Sequence, residues 1–186
     1  MSSTPTSLPP GHYLKIPFVW EPGCPLPNPS SALSFQPAPA DWLLEALSQV
    51  LATSLDPADQ LAVEQNGSHG AANLLLSLAS PHFEQLPDWW QLARNPAGQT
   101  IGFVLSSVFP RNGEQPLEGT VFYLGVLPEH RGLAYSRQLL DQATRTLVQI
   151  GVRRILCDTA ACNTPMIAAF RHAGYLEKEP WPRPLR

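Results

Sequence analysis

Residues 126–137 read Val-Leu-Pro-Glu-His-Arg-Gly-Leu-Ala-Tyr-Ser-Arg and join two segments of different pattern. The stretch before them, Thr120 to Val126, is apolar on both faces and predicts a buried strand. The stretch that follows, Leu133 to Ile150, has apolar residues at helical spacing. A loop of small residues at a helix N-terminus presents backbone N–H groups that have no intrahelical acceptor, and the helix dipole favours negative charge there. The segment therefore predicts an anion site.

The loop differs from two common phosphate-binding patterns. No Gly-Lys-Ser/Thr follows it, and its single glycine, Gly132, does not make a dinucleotide fingerprint, so a P-loop-like nucleotide binder is disfavoured. The loop resembles the cofactor loop of the GNAT superfamily of acyl-CoA-dependent N-acyltransferases, which reads Arg/Gln-x-x-Gly/Ala-x-Gly/Ala. Arg131, Ala134 and Ser136 stand at the patterned positions, with Ala and Ser where Gly is commoner.

A second segment strengthens this resemblance. Residues 163–175 read Asn-Thr-Pro-Met-Ile-Ala-Ala-Phe-Arg-His-Ala-Gly-Tyr and resemble the later signature of the superfamily, in which Asn precedes a short helix that carries an aromatic residue and ends at Gly-Phe or Gly-Tyr. One helix and one strand separate the two motifs, as the superfamily requires. The resemblance covers residues 86–178, and two motifs in this order are more specific than either alone.

The resemblance implies a fold of the α/β (α+β) class in a single GNAT-like domain. Its mixed central sheet would have antiparallel N-terminal strands, helices on both faces, and two splayed parallel strands that end here at Val126 and Thr159. Acetyl-CoA would lie between those strands as cosubstrate, with its pantetheine arm on the strand backbone and its pyrophosphate on the loop, and no metal would be needed. The implied cofactor-binding residues are Val126, Leu127, Arg131, Gly132, Leu133, Ala134, Tyr135, Ser136, Arg137, Asn163 and Phe170.

The implied activity is transfer of an acetyl group to a primary amine by direct attack in a ternary complex. The acceptor would be a small molecule or a peptide, at its N-terminus or a lysine. Such a reaction needs a neutral amine, a hydrogen-bond donor to the thioester oxygen, and a proton for the leaving thiolate. The acidic half of the chain described below would favour a cationic acceptor.

The catalytic groups depart from the pattern of the superfamily. Phe170 stands where Tyr serves as the acid, and Thr120 stands where some relatives carry a basic Glu. Glu118, on the same face of the strand, is a possible base, and Tyr123 is a possible acid. Two other side chains could supply the proton: Cys162 and Tyr175. The two departures support the alternative of a non-catalytic acyl-CoA-binding or regulatory module.

Four further side chains near the motifs have a structural interpretation. His130, in the variable part of the loop, and His172, near a helix end, are tempting as bases but are interpreted as surface or structural residues. Trp89 and Trp90 could line one side of an acceptor pocket. Since adjacent residues of a strand point to opposite faces, at most one of them would do so.

Composition narrows the class of protein. The chain has 186 residues, 44% of them hydrophobic, which suits one domain. It shows no secretory signal and no apolar run long enough for a membrane span, so we expect a cytoplasmic protein without a membrane partner. Residues 1–93 hold one basic and eight acidic residues, which disfavours nucleic acid as a partner.

The three cysteines of the chain make no disulfide framework, and Cys157 is expected to be buried. A homodimer is left open.

The arrangement of the chain predicts an arm followed by a domain. Residues 1–40 contain ten of the 21 prolines and are predicted to form an arm, with an edge strand at 12–20, and residues 41–186 are predicted to form the domain. Asp41 is expected to cap a helix, and Asp141 is expected to pair with Arg145. The other predicted elements are helices at 41–53, 57–64, 71–79 and 164–172, strands at 89–94, 100–109, 154–159 and 175–179, and a polar loop at 111–119.

Overall fold

The computed structural model describes residues 8–30, 32–110 and 117–185 and shows one mixed β-sheet between two layers of helices. The strands are β1 (His12–Trp20), β2 (Ser34–Pro37), β3 (Trp90–Arg94), β4 (Thr100–Val108), β5 (Glu118–Val126), β6 (Arg154–Ala160), β7 (Leu176–Glu177) and β8 (Trp181–Pro184). The helices are α1 (Ala40–Leu51), α2 (Pro57–His82), α3 (Tyr135–Gln149) and α4 (Thr164–His172).

The strands follow the order β2-β3-β4-β5-β6-β1-β7, and β8 also pairs with β1. Only β5 and β6 are parallel among the described strands. They pair at Glu118 with Arg154 and at Gly119 with Ile155, and beyond these pairs they separate. The predicted α/β class with splayed parallel strands is therefore confirmed.

Each face of the sheet is covered by one pair of helices. The apolar stripe of α1, together with Ala71 and Ala72 of α2, packs on Phe103 and Leu105 of β4. On the opposite face, α3 and α4 pack on β1, β5 and β6 through buried apolar side chains, among them Leu140 and Ile155. Since α2 covers the β4–β5 side, part of the sheet over β6 and β1 stays open and lines a cleft.

The predicted edge strand lies inside the sheet instead. β1 pairs with β6 from Lys15 opposite Ala160 to Trp20 opposite Ile155, and with β7 and β8 on its other side. Pro17 suggested an edge because it lacks an N–H group. The nitrogen and the carbonyl of a strand residue point to the same side. The Pro17 carbonyl, which accepts from Lys178 N at 2.9 Å, points toward the break between β7 and β8, so the Pro17 nitrogen faces this break as well. The missing donor therefore leaves no ladder position empty.

Two predicted side-chain interactions are wrong. α1 begins after Pro39 and has no side-chain cap, so Asp41 lies in its first turn rather than at its N-cap. Asp141 lies 3.9 Å from Arg137, one turn earlier, while the guanidinium of Arg145 donates to Pro27 O at 3.1 Å. Carbonyls of the proline-rich segment lack a strand partner, and Arg145 satisfies one of them.

The other predicted elements agree with the structure apart from their ends. Gly67, at φ 69°, kinks α2 where a break was predicted, and α4 has the predicted bounds. The predicted strand at 175–179 is shortened to β7, and β8 was not predicted. Residues 111–116 of the predicted polar loop lie outside the described residues, and 118–119 belong to β5. None of the described helices is long and apolar enough to cross a membrane.

Candidate active site

A cleft of about 1270 Å³ opens where β5 and β6 separate. The loop before α3 lines one end, and α2 with the open part of the sheet lines the other. Splayed strands leave backbone groups without a ladder partner, so a ligand between them can form the missing hydrogen bonds. The cleft is therefore the candidate site, and its two ends differ in chemistry.

The loop between β5 and α3 presents a row of unpaired backbone donors. Gly132 has φ 80° and Ala134 has φ 57°, and α3 begins directly afterwards without a side-chain cap. Within the described residues, five consecutive backbone N–H groups have no acceptor: those of Gly132, Leu133, Ala134, Tyr135 and Ser136. Together with the positive end of the helix dipole, such groups can donate hydrogen bonds to a phosphate group.

Arg131 fixes this loop to the rest of the protein. Its guanidinium donates to Val126 O at 3.2 Å, to Thr53 O at 3.1 Å and to Val50 O at 3.4 Å. The last two carbonyls lie at the C-terminal end of α1, where a cation is favoured by the helix dipole. The side chain of Arg131 therefore positions the loop, and the donors toward an anion come from the backbone beside it.

The structure brings most of the predicted cofactor residues together. Nine of them line the cleft: Val126, Arg131, Gly132, Ala134, Tyr135, Ser136, Arg137, Asn163 and Phe170. Leu127 instead packs in the core under α1, and the side chain of Leu133 is 62% exposed. Asn163 caps α4, since its Oδ1 accepts from Met166 N at 3.4 Å. Phe170 stacks on Phe18 with ring centroids 4.6 Å apart.

A carboxyl and a phenol form a pair inside the cleft. The Tyr123 hydroxyl donates to Asp59 Oδ2 at 2.7 Å, and the Ser54 hydroxyl donates to the same oxygen at 2.6 Å. Burial raises the pKa of Asp59 above its usual range, although the two hydrogen bonds act in the opposite direction. Burial and the nearby Asp59 charge raise the pKa of Tyr123 well above its ordinary value. The pair can hold and pass a proton.

A buried lysine lies beside this pair. Lys15 Nζ contacts Asp56 Oδ2 at 2.7 Å and Asp158 Oδ1 at 3.0 Å. Burial alone would lower the pKa of Lys15, but Asp158 and Asp56 outweigh it and raise that pKa. Tyr13, 8% exposed, also lines the cleft, and its hydroxyl has no hydrogen-bond partner among the described residues. A buried unpartnered hydroxyl is unusual and is available to a ligand.

The predicted base lies elsewhere. Glu118 accepts from Arg154 Nη1 at 2.6 Å at the closed end of the β5–β6 pair, and it does not line the cleft. Tyr123, the predicted acid, does line it. Asp59 was not predicted as a site residue, because Pro57-Ala58-Asp59 is also the ordinary pattern of a helix start. The signal was the acidic pair Asp56 and Asp59 at that helix N-terminus.

Some of the remaining sequence candidates line the cleft, and the others lie outside it. Tyr175 is buried, with its hydroxyl 2.7 Å from that of Thr144, and Cys162 Sγ donates to Leu55 O at 3.1 Å. Neither lines the cleft, and neither Trp89 nor Trp90 does, because both pack on apolar cores. The other two candidates, His130 and His172, line the cleft.

Of the three cysteines, one is buried and Cys162 is exposed. Cys157 is buried as expected, and burial raises its pKa to about 12. Such a thiol stays protonated and inert at neutral pH. Across residues 8–30, 32–110 and 117–185, no group of three or more His, Cys, Asp or Glu side chains is placed to hold a metal ion.

Curated proteins of similar sequence match part of this chain. It is 30% identical over 111 residues to a mycothiol acetyltransferase of Pseudarthrobacter chlorophenolicus, a match that covers 60% of this chain and 34% of the relative. A mycothiol acetyltransferase of Saccharomonospora viridis is 32% identical over 92 residues, covering 47% of this chain and 30% of that protein. The chain thus spans about a third of the length of the curated relatives it matches.

Solved structures share the fold at low sequence identity. A GCN5-related N-acetyltransferase from Sphaerobacter thermophilus superposes with a TM-score of 0.58 at 17% identity, over 94% of this chain and 52% of that one. A tandem GNAT protein from the clavulanic acid biosynthesis pathway has a TM-score of 0.54 at 14% identity, over 91% of this chain and 52% of that one. The sequence also matches the family model described as "Acetyltransferase (GNAT) family" over residues 59–175, which is more than half of the chain. The protein therefore belongs to the GNAT acetyltransferase family.

Proposed function

We propose that the protein transfers an acetyl group from acetyl-CoA to a primary amine of a small molecule or peptide, by direct attack in a ternary complex. The observation that carries this proposal is one cleft that joins the unpaired N–H groups of residues 132–136 to the Asp59–Tyr123 pair. Family membership and the relatives named mycothiol acetyltransferase support acetyl transfer.

The cleft suits a CoA thioester at the end that faces α3. The pyrophosphate would accept hydrogen bonds from the loop backbone, and the small side chains of Ala134 and Ser136 leave room for it. The pantetheine arm would lie along the separated strands, near Val126 and Asn163. The acetyl group would then stand between the two layers of helices, within reach of the other end of the cleft.

The Asp59–Tyr123 pair can move the protons of the reaction. The amine nitrogen attacks the thioester carbon, so the C–N bond forms and the C–S bond breaks with its electron pair on sulfur. Asp59 accepts the proton that the amine must lose, and its raised pKa makes the carboxylate a better base than an exposed one. Tyr123 donates its proton to the thiolate and recovers one from Asp59 through their hydrogen bond. The products are an amide and free CoA.

A panel of primary amines, assayed with acetyl-CoA by release of free thiol, tests the proposal. We expect release that depends on the amine, and a mass increase of one acetyl group on the acceptor. If acetyl-CoA binds by calorimetry but thiol release stays at background with every amine, the protein is the non-catalytic acyl-CoA-binding module instead. If ATP binds and CoA does not, the cofactor assignment is wrong.

The cofactor loop can be tested separately. Ala134→Glu places charge and bulk against the pyrophosphate, so we expect CoA binding to be lost in calorimetry. Gln65→Glu adds the same charge at an exposed position of α2 outside the cleft and should leave CoA affinity unchanged. Retained affinity in Ala134→Glu, with the protein still folded by circular dichroism, would show that the loop is not the pyrophosphate site.

A further inference from the structure

The end of the cleft away from the cofactor loop has an apolar arm. This arm consists of Ala71, Leu74, Leu75, Leu78, Phe83, Phe109 and Phe122, all of which line the cleft. Leu74 and Leu78 are one turn apart on α2 and are each 47% exposed. The Phe83 ring lies 5.3 Å from both Phe109 and Phe122, centroid to centroid. The arm is therefore a concave surface of aliphatic and aromatic side chains.

Exposed leucines are ordinary on a protein surface when they are scattered. Here two of them share one concavity with three aromatic rings, and that concavity is continuous with the proposed reaction centre. Concave, mostly apolar surfaces with a few polar groups are typical of small-molecule sites. The arm is thus a candidate for the part of the site that recognises the acceptor.

The polar groups of this end are grouped beside the arm and carry mostly negative charge. Asp56, Asp59 and Asp158 line the cleft, and the cations among the lining residues near them are Lys15 and Arg183. Lys15 is already paired with two of the carboxylates. A cationic amine that approaches Asp59 therefore meets a favourable potential.

The position of the arm indicates which ligand fills it. Glu84 pairs with Val108, and Val108 lies opposite Gly119, so Phe83 and Phe109 lie beside the beginning of β5. The cofactor loop follows the end of the same strand. A CoA thioester bound at the loop would leave the arm to the other substrate.

Resting on the proposed function, we infer that the acceptor is an amphiphilic primary amine. Its aliphatic or aromatic body lies on the apolar arm, and its amino group lies at Asp59. Burial of the body against Leu74, Leu78 and the aromatic rings supplies the binding free energy, while the carboxylates orient the nitrogen. Amines with a wholly polar body would leave the arm hydrated and bind weakly.

The test compares matched amines with acetyl-CoA as the donor. Phenethylamine and hexylamine represent the apolar body, and ethanolamine and glucosamine represent the polar one. We expect kcat/KM at least about tenfold higher for the apolar pair, since most of an aromatic or aliphatic body leaves water on binding. Equal or higher kcat/KM for the polar amines would overturn the inference and leave the proposed function intact.

A double variant tests whether the preference for amines with an apolar body comes from the apolar arm. Leu74→Gln with Leu78→Gln should raise KM for phenethylamine by about tenfold, with KM for acetyl-CoA unchanged. Both side chains are half exposed, so the fold should tolerate the change. Leu86→Gln is the matched control, because Leu86 is 56% exposed and lies outside the cleft. An unchanged KM for phenethylamine in the double variant would contradict the assignment.

Two further outcomes separate this inference from the proposed function. If hexanoyl-CoA binds more tightly than acetyl-CoA in calorimetry, and only the double variant removes the difference, the arm holds an acyl chain and the inference is wrong. If no amine is acetylated, the proposed function fails. Thermal shift of the CoA-loaded protein then decides the inference, since equal shifts with phenethylamine and ethanolamine would overturn it.

Discussion

At Asp59, burial and hydrogen bonding act on one carboxyl in opposite directions. Burial raises its pKa, and donation from Ser54 and Tyr123 lowers it, with burial the larger effect. A carboxyl whose pKa is raised on folding stabilises the fold below its unfolded pKa of about 3.9, and this stability is lost as pH rises through the folded pKa. Ionisation of Asp59 in the folded protein therefore costs stability, as expected for the proposed role as a base.

Asp59→Asn separates these two roles. The amide oxygen can still accept from Ser54 and Tyr123, but the charge and the basic site are gone. We expect acetyl transfer to fall by about 100-fold or more. The free energy of unfolding at pH 7, measured by urea denaturation, should be unchanged or raised, and any gain should shrink toward pH 4. Wild-type turnover in a folded variant would show that Asp59 is not the base.

Two tyrosines among the sequence candidates provide a matched pair: Tyr123, which is half-buried in the cleft, and Tyr175, which is buried in the core. Tyr123→Phe removes the proposed proton donor, so kcat should fall while KM for acetyl-CoA stays the same. Tyr175→Phe leaves Thr144 without its tyrosine partner and should lower the free energy of unfolding by about 1 kcal/mol, with kcat unchanged. A loss of kcat in Tyr175→Phe alone would reverse the assignment. Steady-state kinetics and urea denaturation of both variants provide the comparison.

At the scale of the element, the turn into α3 relies on an unusual backbone. Ala134 adopts the left-handed region at φ 57° and serves as the N-cap residue without a capping side chain. A non-glycine residue in this region carries a steric cost of about 1–2 kcal/mol. The strain accompanies a conformation in which the N–H groups of residues 132–136 stay free. The strained turn therefore costs local stability, and it leaves free the N–H groups that we propose bind the pyrophosphate.

Ala134→Gly should relieve this strain. Since glycine adopts positive φ without a steric penalty, we expect the free energy of unfolding to rise by up to about 1 kcal/mol. Thermal or urea unfolding of the two proteins without a ligand measures the difference. A destabilised variant would contradict the left-handed assignment at this position.

At the scale of the whole molecule, the first described strand completes the sheet beside the last ones. Phe18 of β1 is fully buried and stacks on Phe170 of α4, and Lys15 of the same strand contacts Asp56 and Asp158 in the cleft. Residues 12–20, which were predicted to belong to the proline-rich N-terminal segment, therefore contribute both to the core and to the proposed acceptor end of the cleft.

Phe18→Ala measures how far β1 supports the fold. Removing a fully buried aromatic ring should lower the free energy of unfolding by about 3–5 kcal/mol. Phe35→Ala on the edge strand β2, where the side chain is partly exposed, should cost clearly less. Equal losses in urea denaturation would mean that β1 does not act as an inner strand.

Local patterns predicted the parts of the molecule that depend on near neighbours. The loop at 126–137, the helix at 164–172 and the strands at 89–94 and 100–109 were all expected from short stretches of sequence. Asp59 was missed because its partner Tyr123 approaches only when α2 packs on β5. The inner position of β1 was missed because it depends on the strands beyond it, and β8, with two prolines among its four residues, was not predicted.

The register of β1 also affects the order in which the parts of the protein fold. Ile16 faces Thr159, and Phe18 faces Glu177, so these contacts join positions far apart in sequence. Structures rich in such distant pairings have a high contact order and fold slowly. During synthesis, β1 would leave the ribosome long before its partners and would need to stay unpaired until they emerge. The floor of the cleft, which contains Lys15 and Asp158, is thus among the last regions to assemble.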